Sequence, residues 1–337
     1  MIREAISLLV AGHSLTMEQA AQTMEQIMAG QATPAQFGAF VTALRLKGET
    51  VDEIAGLAGV MLARAIRVPV SGPVVDIVGT GGDGLSTFNI STAAAFVAAG
   101  AGLVVAKHGN RAASSRCGSA DVLEALGVKI DLTAEQVGRC LHEVGVGFMF
   151  APSFHPAMKY AAGPRREIGI RTVFNILGPL TNPAGAQAQL MGVADTSLTL
   201  KMAQVLNRLG CHHALVVHGE DGLDEITISG DTKVCELQNG TIKSYAVSPE
   251  DFGVNRASLD TLRGGTPQEN AQMLRQVLAG APGPRRQVVL MNAAAALVAG
   301  DIVSTLRGGV ELAREAIDSG RALAKLERLI GLSQSWR

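Results

Sequence analysis

The sequence predicts an α/β fold: a small all-helical domain beside a larger α/β domain with a mostly parallel central sheet and helices on both faces. Three observations predict it. The first 67 residues carry apolar side chains at three- and four-residue spacing, with no strand-like run among them. After the Pro- and Gly-punctuated stretch VPVSGPV (68–74), short β-branched runs alternate with helical patterns, as parallel strands and their covering helices do. At 337 residues the chain exceeds what one core usually fills, which favours two domains.

The elements follow in order. IREAISLLV and MEQAAQTMEQIM are amphipathic helices, and VDEIAGLAGVMLARAIRV (51–68) reads as one long helix. Thr16 with Gln19 and Thr50 with Glu53 have capping-box spacing. VVDIV is a strand, followed by a glycine loop and an Ala-rich helix starting near Asn89. LVVAKHG is a second strand, SADVLEALG a helix, and GFMFAP, LMGVA, ALVVHG and VVLMN are further candidate strands. ITISGDTKVCELQNGTIKSYAV (226–247) alternates in polarity around Asn-Gly and predicts an antiparallel hairpin added to the sheet.

Composition narrows the function. Hydrophobic residues make up 47% and charged residues 18%, ample for packed interiors, and the formal net charge of −1 advertises no general nucleic-acid or anionic-membrane surface. Cys117, Cys140, Cys211 and Cys235 form no CxxC and no zinc spacing, so they read as reduced thiols of a cytoplasmic protein. The N-terminus has no secretory-signal pattern. The charge-free stretch between Asp83 and Lys107 contains Ser86, Thr87, Asn89, Ser91 and Thr92 and a Gly100/Gly102 break, and predicts a buried helix and strand rather than a membrane span.

Four stretches carry chemistry. Gly79, Gly81 and Gly84 fit the dinucleotide fingerprint, but Lys107 and His108 stand where the ribose-binding acid belongs, and Asp83 would repel a bare pyrophosphate. What remains is a loop whose backbone N–H groups can approach an anion, followed by Asn89, Ser91 and Thr92 at a helix start. The competing reading makes Asn89 and Ser91 mere caps. In KHGNRAASSRCGSADVLEALG (107–127), Lys107 and Arg111 lie at the carboxyl edge of the sheet, Lys107 as a point charge for phosphate and Arg111 as a fork of donors or half of an internal ion pair. A solvated turn is the alternative. Arg165 and Arg166 follow what reads as a helix stopped by Gly163-Pro164; arginine suits a planar carboxylate, although Glu167 could pair with a neighbour. Asp224 and Glu225 are either surface charge or, converging in a turn, a magnesium site beside phosphates. No G-x-S-x-G, HExxH, kinase set or Walker A appears, so no side-chain nucleophile is expected.

Together DIVGTGGDG, NISTA, KHGNRAASS, GSADVLEALG, FAPSFHPAM, RTVFNILGPLTNPA, VVHGEDGLDE and GGTPQEN resemble the anthranilate phosphoribosyltransferase family of tryptophan biosynthesis, in that family's order, from residue 76 to about 270. The resemblance implies transfer of a phosphoribosyl group from 5-phosphoribosyl 1-pyrophosphate (PRPP) to anthranilate, with two Mg²⁺ ions per subunit. It implies that Gly79, Gly82, Asp83, Thr87, Asn89, Ile90, Ser91, Thr92, Lys107, His108, Gly109, Asn110, Arg111, Ala112, Ala113, Ser114, Ser115 and Ser119 line PRPP. Gly79, Asn110 and Arg165 would meet anthranilate, with His108 and His155 along its path; Ser91, Asp224 and Glu225 would hold the metal; Lys107 and Arg165 would stabilise charge and position substrates. It further implies a cytoplasmic homodimer with no nucleic-acid or membrane partner, with residues 1–70 and a return segment 166–186 helical, and 71–165 with 187–337 forming the α/β part. Gly163-Pro164 and Arg116 depart from the family's pattern. A pyrimidine nucleoside phosphorylase-like enzyme and a non-catalytic nucleic-acid-binding paralogue are the competing functions.

Overall fold

The computed structural model describes residues 1–112 and 116–336. Four helices come first: α1 (Ile2–Val10), α2 (Met17–Met28), α3 (Pro34–Lys47) and α4 (Val51–Arg64). Thr16, Thr33 and Thr50 each close a capping box, so the orphan N–H groups at three helix starts are met locally. Glu53 goes further. Fully buried, its carboxylate accepts from the Leu15 and Thr50 amides at 2.8 and 2.7 Å and pairs with Lys47 Nζ at 2.9 Å. One side chain thus ties the starts of α2 and α4 to the end of α3.

The α/β part runs β1 (Val75–Gly79), α5 (Ile90–Gly100), β2 (Val105–Gly109), α6 (Ser119–Ala125), α7 (Ala134–Glu143), β3 (Val146–Phe150) and the short α8 (Ala151–Phe154). Next come α9 (Lys159–Ile168) and α10 (Phe174–Leu177), then β4 (Ala188–Gly192), α11 (Leu198–Arg208), β5 (His213–Gly219), β6 (Thr232–Gln238) and β7 (Thr241–Val247). The chain ends with α12 (Pro267–Leu278), α13 (Pro284–Ala299), α14 (Leu306–Asp318) and α15 (Arg321–Gln334). The sheet order is β3-β2-β1-β4-β5-β6-β7; the first five strands are parallel and the last two antiparallel. Asn239 and Gly240 both have positive φ, as a two-residue hairpin turn needs.

Strand residues alternate between two cores. Ile77, Leu190 and Leu215 face one packed by α5 and α13; Met191, Ala214 and Val216 face one shared with α2, α3, α4 and α11. The helical part therefore rests on the sheet through α11. Helix α9 packs on α2 and α3, bringing a mid-chain segment back to the N-terminal helices. Among the described residues no helix is long and apolar enough to cross a membrane, and the charge-free stretch is α5 followed by β2.

Four expectations need correction. VVLMN lies inside α13, not in a strand; that helix is buried on nearly every face, so its apolar run shows no helical period. The helix from Val51 stops at Arg64, because Ile66 and Val68 donate their amides to Phe154 and Pro183 and Val68 precedes a proline. Residues 226–231 are turns knotted by Thr227 and Ser229 donating to Asp221, each at 2.5 Å, and β6 starts only at Thr232. Finally, Gly163-Pro164 does not stop a helix: α9 continues through it and carries Arg165 and Arg166 in its last turn. Gly163 has no Cβ to clash with the proline ring, which eases the pre-proline restriction.

Candidate active site

The chain lays β1, β2 and β3 outward in one direction, then returns to place β4 on the other side of β1. The strand order thus reverses between β1 and β4, and open α/β sheets bind ligands outside the carboxyl ends of strands at such a point. Gly79 and Gly192 pair there. The Asp224 backbone carbonyl fills the place a Cβ on Gly192 would take, and Asp224 Oδ2 lies 2.5 Å from that of a Cβ on Gly79. Two glycines therefore let the 220–231 loop lie across the sheet end. Asn292, buried within α13, grips Ile226, just past Asp224 and Glu225, on both sides: its Oδ1 accepts from the Ile226 amide and its Nδ2 donates to the Ile226 carbonyl, each at 3.0 Å.

The glycine loop faces this acid pair. Gly81 donates its amide to Asp224 Oδ2 at 2.7 Å, and Gly81, Gly82 and Gly84 all have positive φ. The amides of Gly82, Asp83 and Gly84 have no protein acceptor among the described residues. Successive free amides in a positive-φ turn make a concave anion site. Asp83 folds back to cap the Leu85 amide at 3.1 Å. Thr87 is held by a bridge to Arg263, and Asn89 reaches from the start of α5 to the Cys117 carbonyl at 3.1 Å while accepting from Asn270 at 2.9 Å. Ile90 is buried, and the buried Thr92 hydroxyl has no partner among the described residues.

Electrostatics mark the centre. Burial pushes the Asp224 carboxyl up to about 6 and Glu225 up to about 8; Asp83 and Asp224 add like charge to that of Glu225, while Lys107 and the Ser91 amide oppose the rise. A pair of acids reluctant to ionise is what a cation would relieve. Among the described residues no group of three or more His, Cys, Asp or Glu could enclose an ion unaided. The donors present are two carboxylates and the Ser91 hydroxyl, a set that suits Mg²⁺ completed by phosphate oxygens and water.

Lys107 is buried at the end of β2, donating to the Ile77 carbonyl at 2.5 Å and Ser91 Oγ at 3.3 Å. Burial lowers its pKa from the lysine range, while Asp76, Glu225 and Asp224 hold it up. Gly109 packs against Ser119 Oγ, which donates to the Asn110 carbonyl at 3.3 Å. Asn110 turns its own Oδ1 onto the Arg111 amide. Arg111 spends its guanidinium on Asp121 and Glu124 of α6 and stacks over Phe150, so of the two readings for it the ion pair is the one formed. The Ala112 amide is tied to Asp121 at 2.9 Å. Ala113, Ser114 and Ser115 lie outside the described residues.

The residues expected on the acceptor side group less tightly. His108 and His155 are buried with ring centroids 5.1 Å apart. Burial, reinforced by His155, pushes His108 down to about 3, so both rings are neutral. His155 Nε2 lies 3.0 Å from the Thr181 carbonyl, whereas His108 Nε2 has no partner among the described residues. Arg165 lies over the Phe174 ring at 5.4 Å with its pKa lowered by burial and no acidic partner among the described residues. A half-buried guanidinium without a counter-ion is suited to a carboxylate ligand.

Sequence reasoning missed several supports. Asp76, fully buried under the site, accepts from Asn182 Nδ2 at 2.7 Å and the His108 amide at 3.3 Å; burial raises it to about 6. An acid inside the β-branched run VVDIV was the available signal. Arg171, Asn270 and Asn292 gave no local signal, since their partners are remote in sequence.

A helical bundle seated on an α/β unit, with anion loop and acid pair at the strand-order reversal, defines a glycosyl transferase of two-domain type. The sequence agrees: it matches the glycosyl transferase family, helical bundle domain, over residues 3–65 and the glycosyl transferase family, a/b domain, over 71–323. The anthranilate phosphoribosyltransferase of Dehalococcoides mccartyi is 61% identical over 337 residues, covering 99% of each chain. The crystal structure of anthranilate phosphoribosyltransferase from Thermus thermophilus superposes with a TM-score of 0.93 at 47% identity, over 98% of this chain and 99% of that one. The Saccharomyces cerevisiae enzyme in complex with PRPP and Mg gives 0.92 at 30% identity over 99% and 98%, and its complex with 4-fluoroanthranilate 0.88 at 29% over 99% of each. This chain belongs to the anthranilate phosphoribosyltransferase family.

Proposed function

We infer that the protein transfers the phosphoribosyl group of PRPP to the amine of anthranilate, giving N-(5-phosphoribosyl)anthranilate and pyrophosphate, in tryptophan biosynthesis. The observation that carries the reading is the meeting of the free Gly82–Gly84 amides with the buried Asp224–Glu225 pair at one strand-order reversal. The yeast relative's complexes with PRPP and Mg and with 4-fluoroanthranilate support the same substrates here.

The residues divide by task. The loop amides and Gly79–Thr92 receive the donor, with Lys107, Gly109, Asn110 and the 111–119 segment around its phosphates. Asp224, Glu225 and the Ser91 hydroxyl would hold magnesium, two ions per subunit, which supplies charge neutralisation to the departing diphosphate. Arg165 grips the anthranilate carboxylate and, with Asn110 and Gly79, aims the amine; neutral His108 and His155 line its approach. The amine lone pair forms the C1–N bond as the C1–O bond breaks and the electron pair leaves with pyrophosphate; the ammonium so formed then gives one proton to water, leaving the neutral secondary amine. Lys107 and the amides stabilise that negative charge, and no side chain acts as nucleophile. Alignment of two bound reactants can supply roughly 7–11 kcal/mol of the barrier reduction.

We place the helical unit at 1–70 with 166–186 and the α/β unit at 71–165 with 187–337, and read the active form as a cytoplasmic homodimer. The family matches at 3–65 and 71–323 support the boundary near residue 70, and the packing of α9 on α2 and α3 supports a mid-chain return to the helical unit. The test mixes the purified protein with PRPP, Mg²⁺ and anthranilate and follows anthranilate fluorescence. Loss of signal that requires all three components is expected; none would overturn the assignment.

A further inference from the structure

Arg171 stands apart from the machinery above. It follows α9 on an exposed turn, yet its Nη2 donates to the Gly81 carbonyl at 3.0 Å, ninety residues back in the chain. Its Nη1 occupies the place a Cβ on Gly82 would take. The guanidinium therefore lies against the glycine loop with Nη1 leading, and only the absence of a side chain at 82 admits it.

Gly81 is held by both of its backbone polar groups, which belong to successive peptide units. Its N–H goes to Asp224 Oδ2 and its carbonyl to Arg171. In a trans peptide the carbonyl of one residue and the N–H of the next point in opposite directions; among the described residues no peptide here is cis. Fixing the Gly81 carbonyl on Arg171 therefore turns the Gly82 N–H the other way. That N–H is the first of the amides without a partner among the described residues. Three glycines of positive φ leave this turn free to flip, so its orientation has to be imposed from outside.

We propose that Arg171 is a positioning residue for the phosphoribosyl donor: it clamps the Gly81 carbonyl and so presents the Gly82 amide to the diphosphate. The inference rests on the transfer reaction assigned above. It also links the two substrates, because Arg171 follows Arg165 by six residues.

The experiment measures steady-state rates and pyrophosphate product inhibition for the wild type, Arg171→Ala and Arg171→Lys, with melting temperatures alongside. Arg171→Ala should raise the PRPP KM about tenfold or more, the loss of a charged hydrogen bond, and raise the pyrophosphate inhibition constant in parallel. The anthranilate KM should stay within about twofold. The melting temperature should hold, since the side chain is exposed, and Arg171→Lys, which keeps a charged donor, should recover part of the PRPP KM. An unchanged PRPP KM, equal rises for both substrates, or a PRPP defect without a pyrophosphate defect would each overturn the clamp. Should Arg171→Ala fail to fold, the same ratios in Arg171→Lys decide. A wild type without transfer would instead bring down the parent reading.

Discussion

Asp224 and Glu225 are destabilising where they stand. Their folded pKa values of about 6 and 8 lie above those of free carboxyls, so at neutral pH the fold carries the cost of a buried charge at Asp224 and of taking up a proton at Glu225, neither of which the unfolded chain bears. Asp224 also accepts the Gly81 backbone amide, which an amide oxygen could accept as well. The Asp224→Asn/Glu225→Gln double variant should lose turnover by about a hundredfold or more, as removal of charge stabilisation at a reacting phosphate does, with a melting temperature equal to or above that of the wild type. Near-normal turnover in magnesium buffer would remove the metal role. Arg165 makes the complementary case. Its truncation to alanine should raise the anthranilate KM roughly tenfold to a hundredfold, the worth of a charge-assisted bond, and leave the PRPP KM near wild type in the same assay.

At the scale of elements, the helical part depends on one buried carboxylate. Glu53 satisfies two orphan amides and one ammonium, so Glu53→Ala leaves the Leu15 and Thr50 amides without a partner and Lys47 without its counter-ion. Breaking a buried pair of this kind costs about 3–5 kcal/mol; urea unfolding of the variant should show it, and a loss below about 1 kcal/mol would mean water replaces the carboxylate. Elements whose signals are local were legible beforehand. The Thr-x-x-Gln and Thr-x-x-Glu boxes, the Asn-Gly hairpin and the strand–glycine–helix run at 75–100 all form as read. The misread pieces share a cause. In α13 all-round burial erased the period, and at α9 a Gly-Pro pair that usually ends a helix was carried through by packing. The acid pair was visible as two letters, but its convergence on the glycine loop depends on Gly192 and Asn292, which no neighbouring residue announces.

For the whole molecule, pH reads out how the interior is built. His108 stays neutral to about pH 3 in the fold, while an unfolded histidine titrates near 6.5. Below 6.5 the unfolded chain binds a proton that the native ring refuses, so stability falls as pH drops, by about 1.4 kcal/mol per pH unit for this group. His155 shifts in the same direction. Asp76, raised to about 6, acts oppositely by gaining stability on acidification, and it is common to variant and parent. Denaturation curves at pH 6.5 and 4.5 should therefore show the wild type losing about 2–3 kcal/mol more than His108→Gln over that interval. Equal losses would mean the ring is protonated in the native state.

The staple beneath the site bears on how the two halves can move. Asn182 Nδ2 bonds both Asp76 and the Ala106 carbonyl, Gln189 holds the Pro179 carbonyl, and His155 meets Thr181. The return segment is thus riveted to the strands at its trailing end, whereas its leading stretch is exposed and meets the α/β part through the Arg171–Gly81 bond. Any swing of the acceptor side would turn about that riveted end, like a door on its jamb, with the Arg171–Gly81 bond as the latch it must first release.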